Sequence, residues 1–398
     1  MTTFAALLIS VPLLLFVYAY LGYPVVLQVL AAFRPAPRSF GDPPDWPTVT
    51  ILLPAYNEAF SIRATLEALL ALDYPGDRRQ ILVVSDASMD GTDDIVGEFS
   101  GRGVELLRQP RRAGKTAAEN AAVPRFSGEI IVNTDATIRI LPASLKPLIR
   151  VFQDPTIGAA SGRDLSVGDV GAEVNQGESG YVGYEMWVRS LETRVGSIVG
   201  ASGCFYAIRR SLVTPAFPEA LSRDFASPLQ ARLLGYRTVS VDEARCLVPR
   251  TTSLRTEYRR KIRTMARGLD TLWYKRALLN PFRYGSFALM LWSHKLCRWL
   301  VHLTLPGLLV GLALLSATSL AAALTVLAIA FPMALGVVGM KWPEGRKAPA
   351  PIALCGFALA VNAAALRAWG KALRGERNPI WEPTRRPGAA DASGPASG

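Results

Sequence analysis

An open, mostly parallel α/β sheet with helices on both faces, carried between membrane-type helices at both ends, is the fold class this 398-residue sequence predicts. Three observations carry that prediction. First, three apolar runs each end in an acid- or amide-bearing cluster: Val49–Leu53 leads into Pro54-Ala55-Tyr56-Asn57-Glu58, Ile81–Val84 into Ser85-Asp86-Ala87-Ser88, and Ile130–Val132 into Asn133-Thr134-Asp135-Ala136-Thr137. Second, the residues between the runs turn to helical spacing, as at Ile62, Leu66, Leu69 and Leu70. Third, uncharged stretches of membrane-spanning length lie near both ends. Ligands of open α/β sheets bind at the carboxyl ends of parallel strands. Acidic groups there read a ribose or base, or hold a cation against a diphosphate.

Taken in order, Thr48–Leu53 reads as the first strand and Glu58–Leu72 as a helix. Ile81–Ser85 is the second strand, a helix opens near Thr92, and Val104–Leu107 is the third strand. A helix follows from Thr116, then the strand Glu129–Asn133. From Ile157 the pattern changes. Tyr181, Tyr184, Trp187, Val188, Leu191 and Val195 mark one long amphipathic helix, and Gly203–Ile208 a short strand. Leu221–Gly235 reads as a glycine-terminated helix and Arg237–Val248 as strand and loop. Tyr258–Leu279 is amphipathic and strongly basic, with Arg259, Arg260, Lys261, Arg263 and Arg267, and is expected on a lipid surface.

Phe4 to Phe33 contains no charged residue and is long enough to cross a bilayer. A cleaved signal peptide would want a basic start and a shorter apolar core, so a retained anchor is expected. Trp299 to Met340 is long enough for two spans, and Ala348 to Leu366 is a shorter run opening on prolines. Arg34 and Arg38 place the middle of the chain in the cytoplasm of a plasma-membrane protein. The expected order is an anchor at 1–33, a cytoplasmic domain at 47–250, and basic interfacial helices at 254–298. A membrane hairpin at 299–340, a further membrane or interfacial helix at 348–370 and a disordered tail at 387–398 complete it. The net charge of +12 gathers near the membrane ends, where it suits anionic headgroups rather than nucleic acid.

The 4 cysteines show no paired spacing, which argues against a zinc site or a disulfide framework. Both histidines, His294 and His302, fall at the membrane hairpin, so a general base in the middle domain must be another group. Gly114-Lys115-Thr116 lacks the earlier glycine of a P-loop, having Gln109 there, and the loop after the first strand has no glycine for a dinucleotide fingerprint.

Pro54-Ala55-Tyr56-Asn57-Glu58 resembles the nucleotide-binding opening of the family 2 glycosyltransferases, whose fold is of GT-A type. Asp86, in Val83-Val84-Ser85-Asp86-Ala87-Ser88, resembles their second strand-end aspartate, and Arg112-Ala113-Gly114-Lys115 their Gly-Lys loop. Thr134-Asp135-Ala136-Thr137 takes the place of the D-x-D metal motif, and Ser222-Arg223-Asp224-Phe225 that of the acidic motif with the catalytic base. Gly200-Ala201-Ser202-Gly203-Cys204 is similar to the acceptor-side strand. His294-Lys295, Arg298-Trp299 and Trp381-Glu382-Pro383-Thr384-Arg385-Arg386 resemble the membrane ends of bacterial exopolysaccharide members, of the cellulose, hyaluronan or poly-N-acetylglucosamine synthase kind. Three departures stand out. Thr137 replaces the second D-x-D aspartate, Arg223 replaces an acid, and Arg260-Lys261-Ile262-Arg263-Thr264-Met265 is no clean Q-x-x-R-W.

The resemblance implies a GT-A nucleotide-sugar-binding domain and a membrane-bound inverting glycosyltransferase. Its donor would be a UDP-sugar and its acceptor a saccharide or a lipid-linked group. Pro54, Tyr56, Asn57, Glu58, Asp86, Lys115 and Asp135 would bind the donor, Asp135 and Thr137 would hold Mg²⁺ or Mn²⁺, Asp224 would be the base, and Gly203 and Cys204 would lie on the acceptor side. Plainer roles stay open beside these: Asn57, Asp86 and Asp224 as helix caps, Lys115 as a solvated charge and Cys204 as a packed small residue. A non-catalytic nucleotide-sugar-binding subunit of a polysaccharide assembly is the alternative that Thr137 and Arg223 suggest.

Overall fold

The structure is a computed structural model that describes residues 2–35, 38–167, 173–214, 216–249, 253–343, 346 and 348–376. The expected tail at 387–398 and the Trp381–Arg386 motif lie outside these residues. The chain enters through α1 (Thr2–Val17), a π-helical turn (Tyr18–Gly22) and α2 (Tyr23–Ala32). There follow β1 (Val49–Ala55), α3 (Ile62–Leu70), β2 (Arg79–Ser85), α4 (Thr92–Gly97), β3 (Val104–Arg108), α5 (Lys115–Ala122) and β4 (Ile130–Thr134). Next are β5 (Arg139–Ile140), α6 (Leu145–Arg150), β6 (Ile157–Val167), α7 (Glu173–Val195), β7 (Phe205–Arg209), α8 (Arg223–Leu233) and β8 (Arg237–Pro249). The last part comprises α9 (Leu254–Tyr274), α10 (Pro281–Tyr284), α11 (Ser286–Leu291), a second π-helical turn (Trp292–Cys297), α12 (Arg298–Ser316), α13 (Leu320–Met340) and α14 (Ala350–Leu373).

One 8-stranded sheet runs in the order β3-β2-β1-β4-β7-β6-β8-β5. Its first four strands are parallel, with Val49 opposite both Arg79 and Ile130. Alternate residues feed the two faces. Ile51, Leu53, Ile81 and Val83 pack with Ile62 and Leu66 of α3, while Leu52, Leu82 and Val84 pack with Ala118 and Ala122 of α5. Beyond β4 the sheet becomes mixed, because β7 inserts antiparallel between β4 and β6. β6 and β5, which the sequence reading did not delimit, close this side against β8. The helix expected from Glu58 begins only at Ile62, so Asn57 caps nothing.

Among the described residues, four helices are long and apolar enough to cross a membrane: Thr3–Ala32, Ser286–Ser316, Leu320–Met340 and Ala350–Leu373. The first helix of the hairpin thus starts at Ser286 rather than Trp299. Gly311 lets α12 approach α1, since a Cβ there would lie 2.9 Å from the Ala5 carbonyl. α14 meets α13 at Gly336 and Gly339, and meets the first turns of α12 through Trp369 Nε1, which donates to the Trp299 carbonyl at 3.0 Å. His302 Nδ1 lies 2.8 Å from Asn362 Oδ1. Both sets of contacts sit at the same end of the hairpin, and α9 packs along α14. The last apolar run therefore packs against α13 and reaches the first turns of α12.

The sheet is joined to this base by a buried polar network. Glu192 of α7 accepts from Tyr23 Oη at 2.6 Å and lies 2.6 Å from His294 Nδ1. Glu185 lies 2.9 Å from His294 Nε2 and accepts from Arg298 Nη1 at 2.9 Å. Burial works against the Glu185 carboxylate, but His294 and Lys295 hold its pKa well below the usual carboxylate value.

The small residues at the base give a direct test. A Cβ on Gly339 would fall 2.4 Å from the Ile352 carbonyl, whereas one on Gly370 would meet nothing within 4 Å. Gly339→Leu is expected to lower the melting temperature in detergent by several degrees, on the scale of about 2 kcal/mol for overpacking. Gly370→Leu is expected to leave it unchanged or raise it slightly. Equal effects would remove the close α13–α14 contact as a source of stability.

Candidate functional site

The loops after β1, β2 and β4 come together at one edge of the sheet. Two non-glycine residues there hold left-handed backbone, Asn57 at φ 52° and Ala87 at φ 59°. Such conformations cost energy and cluster at functional sites. Asn57 is tied to the β2 loop: its Oδ1 accepts from Met89 N at 2.9 Å, and its own N–H donates to Ser88 Oγ at 3.1 Å. Glu58 N donates to Thr92 Oγ1 at 2.8 Å, and Arg112 lies 4.0 Å over the Tyr56 ring. Pro54 sits opposite Val84, beyond the last β1–β4 pair, where its missing N–H interrupts no ladder to β4.

Asp86 is buried and grips the Gly-Lys loop. Its Oδ1 accepts from Ala113 N and its Oδ2 from Gly114 N, each at 2.8 Å. Gly114 has φ 97°, a backbone that only glycine adopts cheaply, and it starts α5. Lys115 follows and places its ammonium against Asp135 Oδ1, with Glu119 Oε1 4.0 Å away. Burial disfavours that ammonium, yet Asp135 and Glu119 outweigh it and keep Lys115 protonated above its ordinary range. It is an ion-paired group, not a solvated charge. Glu119 is fully buried, and burial raises its pKa despite Lys115 and Arg223.

Arg223 is tied to α5. Its Nε lies 3.5 Å from Glu119 Oε2, its Nη2 donates to Asn120 Oδ1, and its guanidinium covers the Phe217 ring at 5.1 Å. The cation that stands in the acidic motif is thus half of a buried ion pair with α5. Asp224, the next residue, has other partners. Ser222 Oγ donates to its Oδ1 at 2.5 Å, and a Cβ on Gly203 would lie 2.9 Å from its Oδ2. Gly203 is therefore the residue that lets the carboxylate approach the β6–β7 side.

One cavity of about 400 Å³ unites these groups. Glu58, Lys115, Asp135, Thr137, Gly203, Cys204 and Asp224 line it, while Pro54, Tyr56, Asn57 and Asp86 stand outside its wall and shape the loops behind it. The sequence reading missed several lining residues. Asp164, which accepts from Ser202 Oγ at 2.5 Å, and Arg189 and Glu257 carried no motif. Trp299 reaches in from α12, packing edge-on to Phe225 with centroids 6.0 Å apart. From α9, Arg260, Arg263, Thr264 and Arg267 line the wall where a Q-x-x-R-W sequence was sought. Among the described residues, no group of three or more His, Cys, Asp or Glu gathers to hold a metal.

Residues 50–214 match the family model for Glycosyl transferase family 2. The chain is 28% identical over 235 residues to an N-acetylglucosaminyltransferase of Mesorhizobium japonicum, covering 52% of this chain and 53% of that protein. It is 26% identical over 212 residues to the poly-β-1,6-N-acetyl-D-glucosamine synthase of Staphylococcus aureus, covering 51% and 50%. The chain spans about half the length of the curated relatives it matches first. A mannosyltransferase of Pyrobaculum calidifontis, solved in complex with GDP-Man and Mn²⁺, superposes with a TM-score of 0.70 over 93% of this chain and 100% of that one, at 23% identity. The fold is accordingly GT-A-like, with a mixed sheet.

Breaking a buried ion pair from one side strands the partner's charge, at a cost of about 3 kcal/mol or more. Arg223→Ala is expected to lower thermal stability on that scale, and the loss should shrink to about half in a Glu119→Gln background. Equal losses in both backgrounds, measured by thermal denaturation, would show that Arg223 does not act through Glu119.

Proposed function

We propose that this chain, whose residues 50–214 match the family model for Glycosyl transferase family 2, is a membrane-bound, inverting glycosyltransferase that faces the cytoplasm at the plasma membrane. It would move a hexosyl or N-acetylhexosaminyl group from a nucleotide donor, with UDP-sugars first, to a saccharide or lipid-linked acceptor in polysaccharide or glycolipid synthesis. The N-acetylglucosaminyl names of the relatives support the sugar class. Four apolar helices and a basic α9 beside them support the membrane setting. The observation that carries the reading is the single cavity in which Asp224 faces the Lys115–Asp135 pair across the sheet's binding edge.

In this mechanism the loops after β1 and β2 receive the nucleoside, with Asp86 keeping the Gly114–Lys115 turn in place. The bond between the anomeric carbon and the diphosphate oxygen breaks as the acceptor hydroxyl attacks from the opposite face. Lys115 neutralises the charge that develops on the leaving diphosphate. Ser222 occupies Asp224 Oδ1, so Oδ2 takes the acceptor's proton. One displacement inverts the anomeric centre.

A divalent cation fits this donor set only when the substrate completes it, since Asp135 is one carboxylate already shared with Lys115. Asp135 and the Thr137 hydroxyl would hold Mg²⁺ or Mn²⁺, which when bound stabilises charge on the diphosphate. A second cation at the leaving group explains why one acidic ligand could suffice.

Two outcomes follow. With a radiolabelled panel of UDP- and GDP-sugars in membranes, transfer should need millimolar cation and disappear in EDTA and in Asp135→Ala; full activity in EDTA would remove the metal role. Asp224→Asn should lower turnover by roughly 100-fold or more, the scale of general-base loss, while the donor still binds. Near-normal turnover of the folded variant would refute the base, and loss of donor binding with it would make Asp224 structural.

A further inference from the structure

The carboxylates along the cleft are held in different ways. Asp135, Glu119 and Glu257 each sit against a cation: Lys115, Arg223 and Arg260 respectively. Asp164, on β6, has no ion pair among the described residues. Its partners are Ser202 Oγ, which donates to Oδ1 at 2.5 Å, and the Cys246 thiol, 3.5 Å from the same oxygen. Burial, and Asp164 after it, raise the Cys246 pKa above its ordinary value, so the thiol is a neutral S–H and a weak donor. A carboxylate has about four acceptor positions over its two oxygens. Both protein donors go to Oδ1, and among the described residues none goes to Oδ2, although Asp164 lines the cleft.

The backbone is shaped to put it there. β6 and β8 pair Ser161 with Ser240 but Arg163 with Arg245, a register shift immediately before Asp164. Irregularities of this kind re-aim side chains beside active sites. Gly162 lies inside the shift, where a Cβ would fall 2.8 Å from the Ala244 carbonyl. Asp164 then comes opposite Cys246, which also pairs with Ile140 of β5, shortly after Thr137. Its hydroxyl partner Ser202 precedes Gly203, whose Cβ would meet Asp224 Oδ2. Asp164 is thus bracketed by the turn that carries Asp135 and Thr137 and by the loop that touches Asp224.

In a single displacement, the group that spans from the leaving diphosphate to the attacking oxygen is the transferred sugar. We propose that Asp164 reads this sugar, its Oδ2 accepting from ring hydroxyls, and so sets which hexose the enzyme selects. The proposal rests on the glycosyltransferase reading above and deepens it from a nucleotide sugar to the residue that chooses the sugar. Charge argues the same way. A carboxylate without a cation repels a diphosphate, but it suits a neutral polyol whose hydroxyls donate. Such a contact selects strongly, because an analogue lacking the hydroxyl leaves a desolvated acceptor unpaired.

The test measures binding by calorimetry to the full chain in detergent, with Mg²⁺ present, for the wild type and Asp164→Asn. The ligands are UDP- and GDP-sugars, their analogues deoxygenated at each ring hydroxyl in turn, and free UDP and GDP. For the sugar nucleotide that binds best, Asp164→Asn should weaken binding roughly tenfold and leave the free nucleotide unchanged. Loss of one particular hydroxyl should cost the wild type the same factor and cost the variant nothing further, the non-additivity that marks a direct contact. Asp164→Ser, which keeps a partner for Ser202, should show the same coupling if Asp164→Asn does not fold. Additive losses at every hydroxyl would overturn the proposal, as would a wild type indifferent to which sugar the nucleotide carries. Weaker binding of free nucleotide in the variants would overturn it in favour of a role at the cation. Because binding is read without turnover, coupling in an enzyme that transfers none of these sugars would sink the functional reading and leave the assignment of Asp164 standing.

Discussion

Two carboxylates buried on α7, Glu185 and Glu192, are the constraint on which the site's placement depends. Burying charge is costly unless it is paired and hydrogen-bonded. Here much of the compensation comes from membrane-side elements: Tyr23, His294 and Arg298. Glu192 then passes the constraint inward, because its Oε2 accepts from Val199 N at 3.3 Å. Val199 opens the loop that runs to Gly203, and Ala201 N donates to the Asp224 carbonyl at 3.3 Å. The carboxylate assigned as base is thus positioned from the membrane base through α7, while Lys115 and Asp135 are positioned by the parallel half of the sheet. The cleft forms where these two supports meet.

Within the cleft the charges alternate. Asp135, Lys115, Glu119 and Arg223 form a row from the strand end to the buried face of α5. A buried glutamate between two cations needs both of them, and this supplies a physical reason for an arginine where the family motif has an acid. Arg223 is the partner of a buried glutamate, and Asp224 beside it lines the cavity. Thr137 is a different case. Its consequence falls on the cation, which would depend on the donor's phosphates.

The parallel half of the fold was legible because its strands are continuous apolar runs buried on both faces, each stopped by a polar cluster. β6 was not, for a reason visible in its contacts. Gly158 and Gly162 leave room for side chains from elsewhere, since a Cβ at Gly158 would lie 2.6 Å from Tyr236 and one at Gly162 2.5 Å from Phe205. A strand whose volume is supplied by its neighbours carries no alternation of its own. The site divided in the same way. Groups at strand ends and in motifs could be named from the sequence, and the structure brings Lys115, Asp135 and Asp224 into one cavity. Asp164 and Arg189 reach that cavity from elements with no motif around them, and Trp299, named only as part of a membrane-end motif, reaches it from α12, through packing that no local pattern encodes.

The two π-helical turns explain how apolar helices can also present polar groups to the domain. Tyr18–Gly22 and Trp292–Cys297 face one another, with Tyr18 Oη 2.7 Å from Ser293 Oγ. An inserted residue rotates everything beyond it by about 100° around the helix. Before the first turn, Ala5 is buried against α12 while Leu7 and Leu14 are exposed; after it, Tyr23, Leu27 and Ala31 are buried with α7 while Val25, Val26 and Val29 are exposed. The second turn lies between the buried stretch of α11 and the long apolar α12, and it places His294 and Arg298 against the same helix. The paired irregularities shift which residues of each helix meet α7, and the buried carboxylates of α7 are the partners that Tyr23, His294 and Arg298 then reach.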